Sequence, residues 1–191
     1  MKRVLAILLG LSMLMMLMVG FVGPAAAADQ SITVTATGNY LAFTFTGGNW
    51  TLASGGVISP NTNYYSNPLG EITSPSNPVT DAECNHIVTN TGNVAVDVTV
   101  KWVDMAGTGS PWVNSDAGTN GSMVFGGKAQ KSGTNWSSAI IAKNAATYNT
   151  LLSDLAAAGH THVVFGFLSP TAFTDSNSKS GSITLTATEH V

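Results

Sequence analysis

Cysteine, arginine and charged residues in general are scarce in this sequence of 191 residues, of which 9% are charged. The one cysteine, Cys84, excludes an intramolecular disulfide. A lone thiol is either buried as a small apolar group or paired with another chain. We favour burial, because no metal-binding or catalytic partner accompanies Cys84 in the sequence.

Beyond residue 28 the sequence has no arginine, and its cations are five lysines. The same part contains ten carboxylates, so its formal charge is −5. Such a chain cannot neutralise a phosphate backbone, which argues against nucleic acids as partners. A surface built from Ser, Thr, Asn and Gly with few charges favours association between copies of the protein.

Catalytic signatures are missing as well. The sequence contains neither a G-x-S-x-G nucleophile elbow nor an H-E-x-x-H metal motif, and its Gly-Gly pairs lack the Lys-Ser/Thr of a phosphate loop. The acids Glu71, Asp81, Glu83 and Asp97 are scattered and form no recognisable catalytic pair. We predict no catalytic residues, no enzymatic activity and no required cofactor, with a hydrolase of unrecognised site as the alternative.

The first 28 residues have the character of an export signal. Lys2 and Arg3 precede an apolar run, Val4–Val22, and Ala25–Ala28 supplies a small-residue cleavage site before Asp29. We predict cleavage there, with an uncleaved membrane anchor as the alternative. The protein is then secreted to the extracellular surface, meets the membrane only during export, and keeps residues 29–191 as a single domain.

Alternation of apolar and polar residues dominates the remaining sequence. One face is apolar and the other is rich in threonine in four runs: Ile32–Thr37, Leu41–Thr46, Val94–Trp102 and Ile183–Thr188. A period of two with many β-branched residues is typical of strands that turn one face to a core. Trp102 continues the apolar face of its run, so we assign it to the core.

Turn residues set the predicted connections. Thr91–Asn93 separates a strand over His86–Asn90 from the run that begins at Val94, which predicts a hairpin. The segment Ser54–Asp81 holds four prolines and predicts a long irregular loop.

One segment departs from the β pattern. Ala145–Ala158, which follows Asn144 and precedes Gly159, predicts a single helix of about three turns. A strand over His160–Leu168 comes next. The predicted fold class is therefore all-β, a jelly-roll or immunoglobulin-like β-sandwich with one short helix.

Two groups of residues are candidate metal ligands. A glycine-rich loop carries oxygen donors of the kind that Ca²⁺ binds, namely Asp104, Asn114, Asp116 and Asn120. The EF-hand spacing is absent, so a polar loop with Asx-turns is the alternative. His160 and His162 share one face of a predicted strand and would bind Zn²⁺ or Cu²⁺ if a third ligand joined them; an exposed polar strand face is the alternative.

Three tryptophans and three asparagines are candidate surface sites. Trp50, Trp112 and Trp136 lie near Asn, Ser or Gly residues and would serve as flat platforms for sugars or as anchors of an assembly interface. Glycosylation sequons begin at Asn49, Asn120 and Asn135. Chance occurrence is the alternative in a chain so rich in Asn and Thr.

The two ends of the region beyond the export signal nearly repeat each other. Ser31–Thr37 reads SITVTAT and Ser182–Thr188 reads SITLTAT. Strands so similar either pair with each other in one sheet or are interchangeable between subunits.

The stretch Ile87–Val98, with its Asn-Thr-Gly turn, resembles a hairpin of exported β-sandwich subunits: the camelysin/TasA-like matrix-fibre proteins and the archaeal bundling-pilus subunits similar to them. The order of signal peptide, early strand, strand series and helix insertion resembles that group too. The resemblance implies donor-strand exchange, in which the N-terminal strand of one subunit completes the sheet of the next. Asp29–Thr37 would be the donor here, with Ile32, Val34 and Ala36 in the acceptor groove of another copy.

Two functions follow from these patterns. The first is a secreted structural subunit of an extracellular filament, sheath or surface layer, a homopolymer joined by strand addition. The second is a secreted carbohydrate- or surface-binding β-sandwich module that uses exposed tryptophans.

Overall fold

The alternating runs form strands wherever the structure describes them. The computed structural model describes residues 38–55, 57–68, 72–144 and 148–191; the predicted signal peptide, residues 1–28, and the predicted donor strand, residues 29–37, lie outside the described residues. The strands, numbered in chain order, are β1 Phe43–Thr46, β2 Asn63–Tyr65, β3 His86–Asn90, β4 Val96–Trp102, β5 Ala106–Gly107, β6 Val113–Asn114, β7 Val124–Lys131, β8 Ile140–Ile141, β9 Asn149–Leu155, β10 His160–Leu168, β11 Lys179–Ser180 and β12 Ile183–Glu189.

Mostly antiparallel pairing joins these strands into two main sheets. The larger sheet has the order β1-β3-β10-β7-β6, with β2 paired to β10 and β8 paired to β7, and the smaller has the order β12-β4-β9. Helical structure in the described residues consists of three 3₁₀ turns, Leu52–Gly55, Asp81–Glu83 and Trp136–Ser138. None of these turns has the length and apolar character that a membrane crossing requires. The prediction of an all-β, sandwich-like protein is confirmed.

The core lies between the inward faces of the two sheets. From β4 it receives Val96, Val98 and Val100, which have no exposed surface, and from β10 it receives Phe165 and Phe167. Burying each such side chain contributes about 1.5–3 kcal/mol. The alternation seen in the sequence is therefore also what stabilises the packed sheets, and Trp102 is buried in this core as predicted.

A second, smaller cluster covers the outer face of the larger sheet. Tyr65, Val79 and Val164 form it, with Cys84 and Trp136 packed against them. Cys84 is half-buried here, and its burial, reinforced by the negative charge of neighbouring carboxylates, raises the pKa of the thiol to about 12. The thiolate is the reactive form of cysteine, so this environment makes Cys84 an inert apolar contact.

The hairpin predicted across Thr91–Asn93 is wrong. β3 belongs to the larger sheet and β4 to the smaller one, so the turn carries the chain from one sheet to the other. Thr91 and Gly92 donate backbone hydrogen bonds to the Ala42 carbonyl at 3.0 Å each, and a Cβ on Gly92 would collide with the Tyr40 carbonyl oxygen. An Asn-Thr-Gly turn reverses the chain, but it does not determine which sheet receives the next strand.

Asn90, which is fully buried, holds this crossing in place. Its amide group donates to the carbonyls of Val94 at 2.7 Å, Leu155 at 2.9 Å and Ala156 at 3.1 Å. Its side-chain oxygen accepts from the Gly92 N–H at 2.9 Å. Leu155 and Ala156 belong to the passage from β9 to β10, so one side chain braces both passages between the sheets.

The helix predicted over Ala145–Ala158 is also wrong in the described residues, because Asn149–Leu155 is strand β9 and pairs with β4. The register of this pairing is shifted at two points, and the neighbours Leu151 and Leu152 are both buried. A bulge places consecutive side chains on one side of a strand and so erases the period of two. Pairing with β4 outweighs the helix propensity of the alanines.

Candidate functional site

The two flanks of the sandwich differ in how they are closed. On one flank β7, β8 and β9 lie side by side, and the Asn149 amide donates to the Ile141 carbonyl at 2.9 Å. On the other flank the end strands are β1 and β12, and there the Asn39 amide donates to Glu189 Oε1 at 2.8 Å. Among the described strands, none pairs with the outer edge of β1 or of β12. We call this side the open flank.

Apolar residues on the open flank are incompletely covered. Ile183, Leu185 and Ala187 of β12 pack against the core yet are only half-buried. On β1, Phe43 is half-buried and Phe45 is 41% exposed. The open flank thus combines partly exposed apolar side chains with backbone groups that lack a strand partner in the described chain. An extended segment can add to such an edge as a further strand.

A cleft of about 870 Å³ lies at one end of the open flank. Its walls include segments 48–52, 57–58 and 175–182, and buried Trp102, Trp112 and Phe165 lie at its base. Trp50 also lines it, with its ring centroid 6.0 Å from that of Trp102. The volume is within the range of small-molecule binding sites.

Two cleft residues carry buried ring nitrogens that find no hydrogen-bond partner in the described chain: Nδ1 of His86 and Nε1 of Trp112. The His86 ring stacks on Phe45 with centroids 5.2 Å apart, and its Nε2 lies 3.3 Å from the Gly48 carbonyl oxygen. Burial lowers the pKa of His86, against a smaller opposing effect of the Gly48 contact. The imidazole is therefore neutral at pH 7; with Nε2–H donating to Gly48, Nδ1 is an acceptor, whereas Trp112 Nε1 is a donor.

The charged residues that line the cleft, Asp175 and Lys179, neutralise each other. Lys179 Nζ lies 2.8 Å from Asp175 Oδ1, and the lysine side chain has no exposed surface. Nζ also donates to the Thr108 carbonyl. The hydrogen bond from Lys179 holds the pKa of Asp175 below its ordinary value. The cleft consequently presents no net charge to a ligand.

The predicted calcium ligands are used in separate structural hydrogen bonds. Asp104 Oδ1 accepts from the backbone N–H of Asn114 at 2.8 Å. The Asn114 side chain is buried, and its amide donates to the carbonyls of Trp102 at 2.7 Å and Ala142 at 2.6 Å while its oxygen accepts from Gly127. Asn114 therefore ties β4 to β7 and to the segment after β8.

The other two predicted calcium ligands lie elsewhere in the hydrogen-bond network. Asp116 Oδ1 accepts from the Asn144 N–H at 2.8 Å, and the Asn120 amide donates to Asn61 Oδ1 at 3.0 Å and to the Ser169 carbonyl at 2.6 Å. Within the described ranges, no three histidine, cysteine or acidic side chains gather as metal ligands would. Calcium binding stays a prediction.

The two histidines of β10 lie side by side on the outer face of the larger sheet. His160 is exposed and His162 half-buried, with ring centroids 6.0 Å apart. The shared face was predicted correctly, but the partial burial of His162 was not. The described residues place no third histidine, cysteine or acid beside this pair.

The candidate tryptophans separate into two groups. Trp50 and Trp112 line the cleft, whereas Trp136 packs edge-on against Tyr65, with centroids 5.1 Å apart, over Gly166 on the outer face of β10. A side chain at Gly166 would occupy the space of the Trp136 ring, so glycine is required for this close approach. Trp136 is thus a packing residue.

The sequon asparagines also differ in their surroundings. Asn49 and Asn135 are exposed, and Asn49 lies on the cleft wall. Asn120 is half-buried, and its amide nitrogen already donates two hydrogen bonds. A glycan at Asn120 would replace one of the two amide hydrogens and remove at least one of these hydrogen bonds, so Asn49 and Asn135 are the more accessible of the three.

Glu83 anchors the long loop before β3, a role that sequence reasoning did not assign. Its carboxylate accepts from the backbone and hydroxyl groups of Ser76 and Thr80 at 2.6–2.8 Å. Burial acts to raise the pKa of Glu83, but these hydrogen bonds outweigh it and lower the pKa to about 2. The T-D-A-E sequence at 80–83 is a capping box and was the available signal.

No protein-family model matches this chain, and comparison with curated proteins and with solved structures found no significant similarity.

Proposed function

We propose that the protein is a secreted structural subunit of an extracellular filament, sheath or surface layer, and that residues 29–37 of one copy add as a strand to the open flank of the next. The observation that supports it is the outer edge of β12, which has no strand partner in the described chain although its inward residues are only half-buried. Edges of this kind are usually covered or blunted in monomeric proteins.

The donor segment has the chemistry that this edge requires. Ser31–Thr37 differs from Ser182–Thr188, which contains most of β12, at a single position, Val34 in place of Leu185. An added strand gains a row of main-chain hydrogen bonds, and its side chains alternate between the two faces of the sheet. Ile32, Val34 and Ala36 would then extend the apolar face that β12 begins, while the threonines point outward.

The direction of this contact determines what it builds. The donor lies at the N-terminus and the acceptor near the C-terminus, so the contact is head-to-tail and each subunit keeps a donor and an acceptor. Interfaces of this type propagate into open chains unless their rotation closes a ring. A jelly-roll or immunoglobulin-like topology and a relation to camelysin/TasA-like fibres are part of the same proposal. The hairpin and the helix that suggested this relation are not found in the described residues, so the relation rests on the predicted signal peptide and early strand.

The experiment compares assembly of residues 29–191 with that of two single variants. Val34→Asp places a charge on the face that is buried on addition, whereas Thr35→Asp places the same charge on the outward face. Desolvating an unpaired carboxylate costs several kcal/mol, so we expect Val34→Asp to stay monomeric and Thr35→Asp to form filaments by negative-stain imaging and light scattering.

Deletion of residues 29–37 completes the test. A folded but unassembled protein is expected, because the described residues already form both main sheets and a core between them. Filaments that persist after the deletion would exclude strand addition. A different result would assign residues 29–37 to their own chain. In that case residues 29–191 would be monomeric, and the deletion would speed hydrogen exchange only at the amides of β12.

A further inference from the structure

The cleft at the end of the open flank is a separate feature from the edge that strand addition uses. Of β12 it includes only Ile183, and of β1 only Phe45. Most of its wall comes from segments 48–52, 57–58 and 175–182, which lie outside the two main sheets. A strand running along β12 would leave most of this volume open, so the cleft is available to a separate ligand.

The charge and lining of the cleft restrict that occupant. Its one ion pair, Asp175 with Lys179, is internally neutral, and His86 is neutral at pH 7 for the reasons given above. Aromatic rings occupy the interior, and the wall carries small uncharged polar residues, among them Asn49, Thr51 and Asn177. This combination suits an uncharged ligand that has apolar faces and many hydroxyl groups.

The two ring nitrogens described above add a hydrogen-bonding requirement. His86 Nδ1 accepts and Trp112 Nε1 donates, and both are buried without a partner in the described chain. Buried polar atoms left in this state are costly, and each needs an explanation. A hydroxyl group donates and accepts at once, so it can satisfy either nitrogen once a side-chain movement opens that nitrogen, which has almost no accessible surface, to the cleft.

We infer that the cleft is a binding site for an uncharged saccharide, one to a few sugar units long, which stacks on Trp50 and exchanges hydrogen bonds with His86 and Trp112. Such a site would let an assembled subunit hold a neutral surface or matrix polysaccharide. The inference does not depend on strand addition, because the cleft residues belong to the described part of a single chain.

The test is calorimetric titration of residues 29–191 with cellohexaose, maltohexaose and chitohexaose. We expect at least one of these to bind with a Kd of about 0.1–1 mM. Trp50→Ala should weaken that binding by about tenfold or more, because it removes the stacking surface. The matched control is Trp136→Ala, since Trp136 is a half-buried tryptophan on the other face of the larger sheet, and it should bind as tightly as the parent protein.

A second variant guards against a folding defect. His86→Phe keeps an aromatic ring in the stack with Phe45 and Phe165 but removes the acceptor, and we expect it to weaken binding while the fold persists by circular dichroism. Absence of binding by all three hexasaccharides, or equal losses in Trp50→Ala and Trp136→Ala, overturns the inference. A synthetic peptide of residues 29–37 that binds with the same dependence on Trp50 would also overturn it, because it would show that the cleft receives the donor segment. Filament formation by the same samples reports on the proposed function separately.

Discussion

At the scale of single residues, the buried imidazole of His86 makes the stability of the fold depend on pH. Its ring lies against Phe45 and Phe165, with centroids 5.2 and 5.1 Å away, and burial lowers its pKa below the ordinary value. The unfolded chain therefore takes up a proton at this site at a higher pH than the folded protein does. By linkage, the stability that neutral His86 supports is present above the unfolded pKa of about 6.5 and is lost as the pH falls below it.

We expect the free energy of unfolding to decrease between pH 7 and pH 5, and His86→Phe to flatten that decrease. Phenylalanine fills the same space and has nothing to protonate. The stability that ionised Glu83 supports is lost only as the pH falls from its unfolded pKa of 4.5 towards its folded pKa of about 2, which lies below this window. The measurement is urea denaturation at several pH values, with His160→Gln, an exposed histidine on β10, as the control that should retain the parent slope. An equally steep slope in His86→Phe would place the acid sensitivity elsewhere.

At the scale of elements, the two passages between the sheets depend on one side chain. Asn90→Ala removes three hydrogen bonds to the carbonyls of Val94, Leu155 and Ala156 and one from the Gly92 N–H. The partner groups belong to half-buried or exposed residues, so each lost hydrogen bond costs about 0.5–1.5 kcal/mol. We expect Asn90→Ala to destabilise the protein by about 2–4 kcal/mol in denaturant titration.

The matched substitution for this prediction is Asn63→Ala, at an exposed position on β2. A change at such a surface position is expected to stay within about 0.5 kcal/mol of the parent protein. A small effect of Asn90→Ala would mean that strand pairing alone stabilises the connections from β3 to β4 and from β9 to β10.

Sequence alternation predicted the central strands well and failed at the connections. β4, β10 and β12 were recognisable because their inward residues alternate and carry β-branched or aromatic side chains. β9 was not, because its bulge buries adjacent leucines and its alanine-rich flanks favour a helix. The turn at Thr91–Asn93 was recognised. Which sheet the chain enters after this turn depends on the hydrogen bond from Asn90 to Leu155 of β9, 65 residues further along the chain.

The candidate site was predictable only in part for a similar reason. Trp50 and Trp112 stood out as residues for sugar contact, and both line the cleft. His86, Phe45 and the Asp175–Lys179 pair carry no local motif, and they meet only when β1, β3 and the segment before β12 come together. The acids and asparagines of the glycine-rich loop suggested calcium because they offer the oxygen donors that Ca²⁺ binds. In the fold they hold backbone segments together.

At the scale of the whole molecule, the scarcity of charge predicts how assembly responds to salt. Residues 29–191 carry five lysines against ten carboxylates, so copies repel one another weakly, and the proposed strand addition would rely on main-chain hydrogen bonds and apolar contact. We expect filaments to persist, or to form slightly more readily, when NaCl rises from about 0.05 M to about 1 M, because screening reduces the repulsion. Sedimentation of the polymer fraction at each concentration measures this. Dissolution at high salt would show that ion pairs hold the subunits together.

The position of β4 in the smaller sheet has a consequence for the order of folding. β4 is the middle strand, and both of its partners, β9 and β12, come later in the chain. Its pairing with β12 joins residues as far apart as Val96 and Glu189, which are 93 positions apart in the sequence (189 − 96). Contacts so distant in sequence form slowly, since the intervening loop must close first. A nascent chain therefore cannot complete its smaller sheet until Ile183–Glu189 has left the ribosome, so this layer of the sandwich forms only after all the other described strands have been synthesised.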